Sequence, residues 1–125
     1  MTSPVWMNAV IGDFGRAAGL SGLALNDRGA AALRFENGSS LRLEYTGVEL
    51  VMEMTVLAAD LKRLLSQSHP LARHGLRVRT GVIAKSREAV LAVRIAERDV
   101  TMPRLSSTFG VLWRLAGEVG GHSWA

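Results

Sequence analysis

The stretch that decides the fold spans residues 20–56 and reads LSGLALNDRGAAALRFENGSSLRLEYTGVELVMEMTV. Two clusters of turn-forming residues interrupt it, Asn26-Asp27-Arg28-Gly29 and Asn37-Gly38. Asn, Asp and Gly accept the positive φ angles that tight turns require, and Asn-Gly favours a two-residue type I′ hairpin loop. The stretch therefore predicts short strands joined by tight turns.

Apolar and polar residues alternate between these turns. The apolar members are Leu41, Leu43 and Tyr45 after the second turn, and then Leu50, Met52, Met54 and Val56. A period of two is that of a strand with one buried face. We expect an antiparallel meander that opens with a short strand at Leu23 and Leu25. In the next strand Leu33 and Phe35 share one face and Arg34 lies on the other.

Helical spacing surrounds the meander. A first helix is predicted to begin at Ser3-Pro4 and to stop at Gly19, with an apolar stripe of Trp6, Val10, Phe14 and Ala17. A second is predicted over residues 57–67. The last is predicted to begin at Pro103 and to end at Gly120-Gly121, with a stripe of Leu105, Phe109, Leu112, Ala116 and Val119.

A second hairpin is predicted from residues 76–84 and 88–97, around Lys85-Ser86-Arg87. Its second strand is apolar on both sides, which is typical of a strand covered on both faces, here by a second subunit. Residues 71–73 are compatible with a short extension of the second helix. The predicted architecture is one α+β domain over residues 1–125, an antiparallel sheet with elements in the order α-β-β-β-α-β-β-α.

Composition bounds the class of protein. The 125 residues are 48% hydrophobic and 21% charged, which is ordinary for a soluble globular domain. No apolar run approaches the ~20 residues of a membrane-spanning helix. The N-terminus lacks the pattern of a secretory signal. The chain has no cysteine, so disulfides, thiolate metal ligands and cysteine nucleophiles are excluded. A reducing cytoplasm of bacterial type is compatible with the absence of cysteine.

Charge is distributed unevenly along the chain. Residues 1–56 hold four basic and six acidic residues, whereas residues 57–125 hold eleven basic and five acidic ones, and the formal net charge is +4. A basic half attracts nucleic acid, anionic membrane or an acidic protein, although a solvated surface is the commoner explanation. Residues 73–87 contain no aromatic residue that could stack on bases. A small basic nucleic-acid-binding module is therefore the second hypothesis.

The sequence offers no set of residues for catalysis. His69, His74 and His122 lack nearby carboxylate or thiolate partners for zinc. No Ser or Thr stands in the context of an activated nucleophile. The glycines of residues 12–22 do not form a phosphate-binding loop, and small helix-packing residues with a helix stop are the better explanation. We expect no enzyme activity, no cofactor and no metal.

The run FGRAAGLSGLALNDRGAAALRFENGSSLRLEY, residues 14–45, resembles the class I type III secretion chaperones of the Tir-chaperone family. It shows that family's pattern of a helix ending in Gly-Leu, here Gly19-Leu20, then a short strand and a turn ending in Gly29. An apolar strand, an acidic-Asn-Gly turn and a Leu-x-Leu strand follow. The later order of helix, hairpin and C-terminal helix also fits the family.

The resemblance implies a cytoplasmic homodimer without catalytic activity or cofactor. Such chaperones bind the non-globular N-terminal segment of a secreted effector in extended form, and deliver it to the secretion apparatus, whose ATPase is a candidate partner. Carried over to this chain, the effector grooves would use Trp6, Val10, Phe14, Leu25, Leu33 and Phe35. The dimer contact would use Leu61, Leu64, Leu65, Val78 and Val82. The family is typically acidic, whereas this chain has a pI near 10.6.

Overall fold

The computed structural model describes residues 3–36, 38–57, 71–73, 76–83 and 88–120. Their helices are α1 (Val5–Ala17), a 3-10 turn (Glu97–Asp99) and α2 (Met102–Gly120). Their strands are β1 (Ala30–Arg34), β2 (Ser40–Tyr45), β3 (Glu49–Leu57), β4 (Leu71–Arg73), β5 (Leu76–Ile83) and β6 (Glu88–Ala96). Among these described elements, no helix is long and apolar enough to cross a membrane.

The strands form one antiparallel sheet in the order β1-β2-β3-β6-β5-β4. This confirms the predicted α+β class and the order of the described elements. The predicted second helix is the exception, because Leu57 is the last residue of β3 and residues 58–67 lie outside the described part of the chain.

One face of the sheet is buried beneath the helices. α2 packs across β3 and β6, and α1 packs against α2. The cross-strand register aligns apolar side chains in rows, because a period of two puts every second residue on the same face. The rows are Leu41–Met54–Leu91, Leu43–Met52–Val93 and Tyr45–Leu50–Ile95. Burying each such side chain stabilises the fold by roughly 1.5–3 kcal/mol.

The opposite face of the sheet, called the open face below, carries charged pairs. Arg42 pairs with Glu44 and, at 3.8 Å, with Glu53, and Arg94 pairs with Glu49. These arginines are at least half exposed, and exposed pairs contribute little stability. β6 is buried on its helix side, and on the open face its Val90 and Ala92 are half-buried in the isolated protomer.

The apolar stripe of α1 is displaced by one residue from the predicted one. The buried residues are Met7, Ile11, Phe14 and Gly15, whereas Trp6 is 45% exposed. Both candidate stripes have the i, i+4 spacing, so periodicity alone could not choose between them. The helix also begins one residue later than predicted. Pro4 is its N-cap with an extended ψ of 144°, and Ser3 makes no capping hydrogen bond.

The end of α1 confirms the predicted stop at Gly19. The amide of Leu20 donates to the carbonyl of Gly15 at 2.6 Å, and that of Gly19 donates to Arg16 at 3.3 Å. This is the Schellman pattern, and it places Gly19 in the left-handed region with a φ of 76°.

Residues 23–25 do not form the predicted first strand, although Leu23 and Leu25 are buried. The amide of Leu25 instead donates to the side-chain oxygen of Asn8 in α1, at 3.0 Å. Alternating burial therefore arises here from a loop held against the first helix.

The turn after it is as predicted. The side-chain oxygen of Asn26 accepts from the amides of Arg28 and Ala30 at 2.9 and 3.0 Å, and Gly29 has a φ of 78°.

The β1–β2 hairpin has a three-residue connection rather than the predicted two-residue type I′ loop. The amide of Phe35 donates to Ser39 at 2.8 Å, and that of Gly38 donates to Phe35 at 3.0 Å. Gly38 has a φ of 90°. A turn followed by one left-handed residue is the usual three-residue hairpin, so it needs positive φ at a single position. Asn37 lies outside the described residues.

Residues 71–73 form strand β4 rather than a helical extension. Leu71 is paired with Val78 and Arg73 with Leu76. The edge of β5 supplies a partner for the backbone of these residues, and this pairing is not visible in residues 71–73 alone.

The last helix confirms its prediction. Leu105, Leu112 and Ala116 are buried, Phe109 is half-buried, and the helix ends at Gly120. The side chain of Val119, and Gly121, lie outside the described part.

A polar contact joins the sheet to the 3-10 turn. The hydroxyl of Tyr45 donates to the carboxylate of Glu97 and lies 3.1 Å from the carbonyl oxygen of Gly47. The hydrogen bond to Glu97, followed by burial and by the charge of Glu97, raises the pKa of Tyr45 above 10.0. A raised pKa means that the contact stabilises the fold below pH 10 and that this contribution is lost as the pH rises through the raised value.

The chain has one tyrosine, so its titration can be followed by the absorbance of the phenolate. We expect a pKa above 10 in the folded protein. The Glu97→Gln variant should titrate closer to 10, because it removes the charged acceptor. Equal titration curves for the two proteins would show that Glu97 does not hold the Tyr45 proton.

Two glycines of α1 provide a matched pair of substitutions. A Cβ on Gly15 would lie 2.7 Å from the carbonyl oxygen of Leu20 and 3.1 Å from the Cβ of Leu23. We expect Gly15→Ala to lower the free energy of unfolding by about 1–3 kcal/mol through overpacking. Among the described residues, a Cβ on Gly12 would meet only Arg16, at 3.6 Å, so Gly12→Ala should raise the free energy of unfolding by about 0.5–1 kcal/mol. Urea denaturation of both variants measures this, and a Gly15→Ala protein as stable as Gly12→Ala contradicts the packing.

Candidate functional site

An aromatic cluster lies where α1, α2 and the end of β1 meet. It consists of Phe14, Phe35, Phe109 and Trp113, and its ring centroids are 5.1–6.4 Å apart. Phe14 meets Phe109 edge to face at 5.7 Å, and Phe35 meets Trp113 in the same way at 5.1 Å. These distances and angles are those of favourable aromatic pairs.

The members of the aromatic cluster differ in exposure. Phe14 is fully buried, whereas Phe35, Phe109 and Trp113 are half-buried. Phe14 therefore supports the cluster from below, and the other three present apolar area to solvent. Half-exposed aromatic rings in contact with one another are typical of a surface that binds a partner.

β1 lies beside this cluster at the edge of the sheet. In an antiparallel pair, residues alternate between those that bond to the neighbouring strand and those whose backbone groups point away. The amide of Phe35 bonds to Ser39, and that of Tyr45 bonds to Gly29, both at 2.8 Å. Residues 31 and 33 therefore bond to β2, whereas Ala30, Ala32 and Arg34 direct their amides and carbonyls outward.

Only part of this outward edge is open within the described residues. The amide of Ala30 donates to the side chain of Asn26 at 3.0 Å, and its carbonyl accepts from the amide of Asn26 at 2.8 Å. The outward backbone groups of Ala32 and Arg34 have no partner among the described residues. We call this stretch, residues 32–34, the free edge segment. It offers two amides and two carbonyls to an added strand.

The side chains of β1 connect this segment to the aromatic cluster. Leu33 is opposite Leu41 on the buried face, and Phe35, two residues later, reaches the cluster. Both are half-buried and pack against the core. A peptide that pairs with the free edge segment would thus place alternate side chains beside Leu33 and Phe35.

The six predicted effector-binding residues differ in burial. Phe14 and Leu25 are buried and support the surface. Val10, Leu33 and Phe35 are half-buried and pack against the core. Trp6 is exposed on α1 and makes no ring contact with the other described aromatic residues. Among the six, ring contacts link Phe14 and Phe35 through Phe109.

Phe109 and Trp113 were not among the predicted surface residues. Phe109 belongs to the predicted apolar stripe of the last helix, and that stripe does not include Trp113. The available signal was their i, i+4 spacing on α2, which puts two large aromatic side chains on adjacent turns of one face. Within the described residues, no group of acidic or histidine side chains could hold a metal ion.

The chain matches a known protein family over most of its length. The model of the family "Type III secretory system chaperone SycN" matches residues 6–120, which is most of the chain. The chain belongs to this family of type III secretory system chaperones. The resemblance found in residues 14–45 is thereby confirmed, and so is chaperone function in type III secretion. The family is one of chaperones rather than enzymes. No curated protein matches the chain in sequence.

Solved structures share the fold of this chaperone. The structure of the HopA1-SchA chaperone-effector complex matches with a TM-score of 0.67 and 17% identity, over 90% of this chain and 91% of that one. The type III secretion chaperone SycH of Yersinia pestis, in complex with a stable fragment of YscM2, matches with a TM-score of 0.65 and 20% identity, over 90% of this chain and 98% of that one. The ExsC-ExsE complex matches with a TM-score of 0.69 and 18% identity, over 93% of this chain and 92% of that one. Nothing in these comparisons supports a nucleic-acid-binding module.

The predicted dimer residues of this chaperone are described only in part. Val78 is buried in the core of the protomer, on β5. Val82 is paired with Ala89 of β6. Leu61, Leu64 and Leu65 lie outside the described residues.

Proposed function

We propose that this chaperone binds the non-globular N-terminal segment of a type III secreted effector and keeps it extended and competent for export. In this proposal it acts in the bacterial cytoplasm, without catalysis or a cofactor, and delivers its cargo to the secretion apparatus, where the secretion ATPase is the candidate docking partner. The observation that carries the proposal is the free edge segment of β1, which lies beside the half-buried Phe35, Phe109 and Trp113 of the aromatic cluster.

The chemistry of this surface suits an extended peptide. Main-chain hydrogen bonds to a strand edge supply affinity for any sequence, and apolar sites for alternate side chains supply selectivity. The free edge segment provides the main-chain hydrogen bonds. Leu33, Phe35 and Trp113 provide the apolar sites. Trp6 and Val10 extend this apolar surface along α1, and the buried Phe14 and Leu25 support it. No reactive side chain is required.

The structural relatives support the binding of an effector. Two of the three were solved with a bound effector or fragment, SchA with HopA1 and SycH with a piece of YscM2. The third is likewise a complex, of ExsC with ExsE. A common fold over at least nine-tenths of this chain supports a similar use of its surface, although the sequences are only 17–20% identical.

We also propose that the chaperone is a homodimer, with a contact that includes Leu61, Leu64, Leu65, Val78 and Val82. Val78 would support this contact from the protomer core. The half-buried apolar residues Val90 and Ala92 lie on the other face of β6, the open face, so cover by a second subunit there would be a surface separate from Val78.

Dimerisation can be tested by measuring the mass in solution, which should be twice 13.5 kDa. Leu64→Asp and Leu65→Asp should each give monomers, because an unpaired charge in the contact costs several kcal/mol. Val5→Asp is the control and should remain dimeric, since Val5 is 87% exposed on α1. A wild-type monomer at micromolar concentration would refute the dimer, and dimeric leucine variants would refute this contact.

The function can be tested by capture from the native bacterial cytosol. We expect the wild-type chaperone to retain one or a few proteins through an N-terminal segment of theirs. Ala32→Pro should reduce this retention roughly tenfold or more, because it removes an outward amide and blocks the edge. Proline is tolerated there because this amide does not bond to β2. Ala32→Thr keeps the amide and is the matched control.

The apolar part of the surface needs a separate variant in the same experiment. Trp113→Ala should also reduce retention, whereas Val48→Ala should not, because Val48 is an exposed residue on the β2–β3 turn. Urea denaturation checks that each variant is folded. Nucleic acid recovered from the wild-type protein and released by moderate salt would refute the effector proposal.

A further inference from the structure

We infer that the free edge segment selects an effector strand in which large apolar residues alternate with acidic residues. This inference rests on the proposed function and specifies the partner at the same site. It follows from the two faces of β1. The side chains on the helix side are apolar, whereas those on the open face include a charged residue.

The side chains of β1 alternate between the two faces of the sheet, and this alternation determines which of them an added strand would meet. The residues opposite Ala32 and Arg34 in a new strand would lie on the open face, because paired residues share a face of the sheet. The residues opposite Leu33 and Phe35 would lie on the helix side, beside the aromatic cluster. Added residues therefore alternate between an apolar and a polar environment.

The polar environment contains one cation without a counter-charge in the described part of the chain. Arg34 is exposed on the open face and makes no ion pair with any described residue. Arg42, next to Ala32 on β2, is paired with two acids, Glu44 and Glu53. The acid nearest in sequence is Glu36, in the following turn, and it is not paired with Arg34. The guanidinium of Arg34 is therefore the cation of the free edge segment that has no ion-pair partner among the described residues.

Space is also available on this side of the strand. Ala32 has only a methyl group and is exposed, so a carboxylate opposite it would meet no bulky side chain at that position. Opposite charges at directly facing strand positions attract, and like charges there repel.

Two synthetic peptides of twelve residues test this inference. Both carry the same large apolar residues at alternate positions, and the positions between them are aspartate in one peptide and lysine in the other. Fluorescence anisotropy with the full-length chaperone at low ionic strength gives their affinities. We expect the acidic peptide to bind roughly two- to fivefold more tightly per opposed charge pair. Added salt should reduce the difference.

Charge reversal at one position provides the decisive comparison. Arg34→Glu should weaken binding of the acidic peptide and strengthen that of the basic one. Arg98→Glu changes the net charge by the same amount at another exposed arginine, in the 3-10 turn, and should preserve the wild-type preference. If the two variants change the affinities for the peptides equally, the preference arises from net charge alone and the inference is overturned.

Failure of the inference can be distinguished from failure of the proposed function. Equal affinity of the wild-type chaperone for both peptides, or no binding of either, overturns the acidic pattern. Effector retention that is lost in Ala32→Pro would still support strand addition in that case. If the acidic peptide binds Ala32→Pro as tightly as wild type, it binds away from the free edge segment and the inference is wrong.

Discussion

The pairing of β3 with β6 is the interaction on which the rest of the structure depends. These two strands are aligned over nine residues each, although more than thirty residues separate their starts in sequence. Their buried side chains form the floor on which α2 packs, and α2 in turn holds α1. β1 and β2 extend the sheet on one side of this pair. The position of the aromatic cluster follows from these contacts, since its members come from α1, α2 and the residue just after β1.

The described strands that the sequence predicted well are those with a strict period of two. Leu50, Met52, Met54 and Val56 are buried as predicted, because burial of one sheet face leaves no other arrangement for an alternating strand. The predictions failed where a local pattern fits two structures. Met7 and Ile11 have the same spacing as Trp6 and Val10 on α1. β4 depends on the edge of β5, a distant partner that no local pattern of three residues can reveal.

The candidate surface was predictable to a similar extent. Leu33 and Phe35 could be placed on one strand face from the sequence alone, whereas the contribution of Phe109 and Trp113 could not. A helical stripe shows which side chains point toward a sheet, but not which of them reach its margin. Whether the backbone groups of Ala32 and Arg34 point outward depends on which alternate residues of β1 bond to β2. The length of the hairpin connection decides this, and the connection is one residue longer than the sequence indicated.

An exposed strand edge is a liability as well as a binding site, because it can pair with any extended chain. In this chaperone the open part of the edge is short. Asn26 occupies the outward groups of Ala30 at one end, and the hairpin turn begins at Phe35 at the other. Between them, Arg34 puts an unbalanced charge beside the outward groups, and charge is a common device against edge-to-edge association. The same charge that discourages indiscriminate pairing would favour a partner of opposite charge. In the inference drawn above, the side chain of Arg34 would both protect the edge and contribute to selection of the effector.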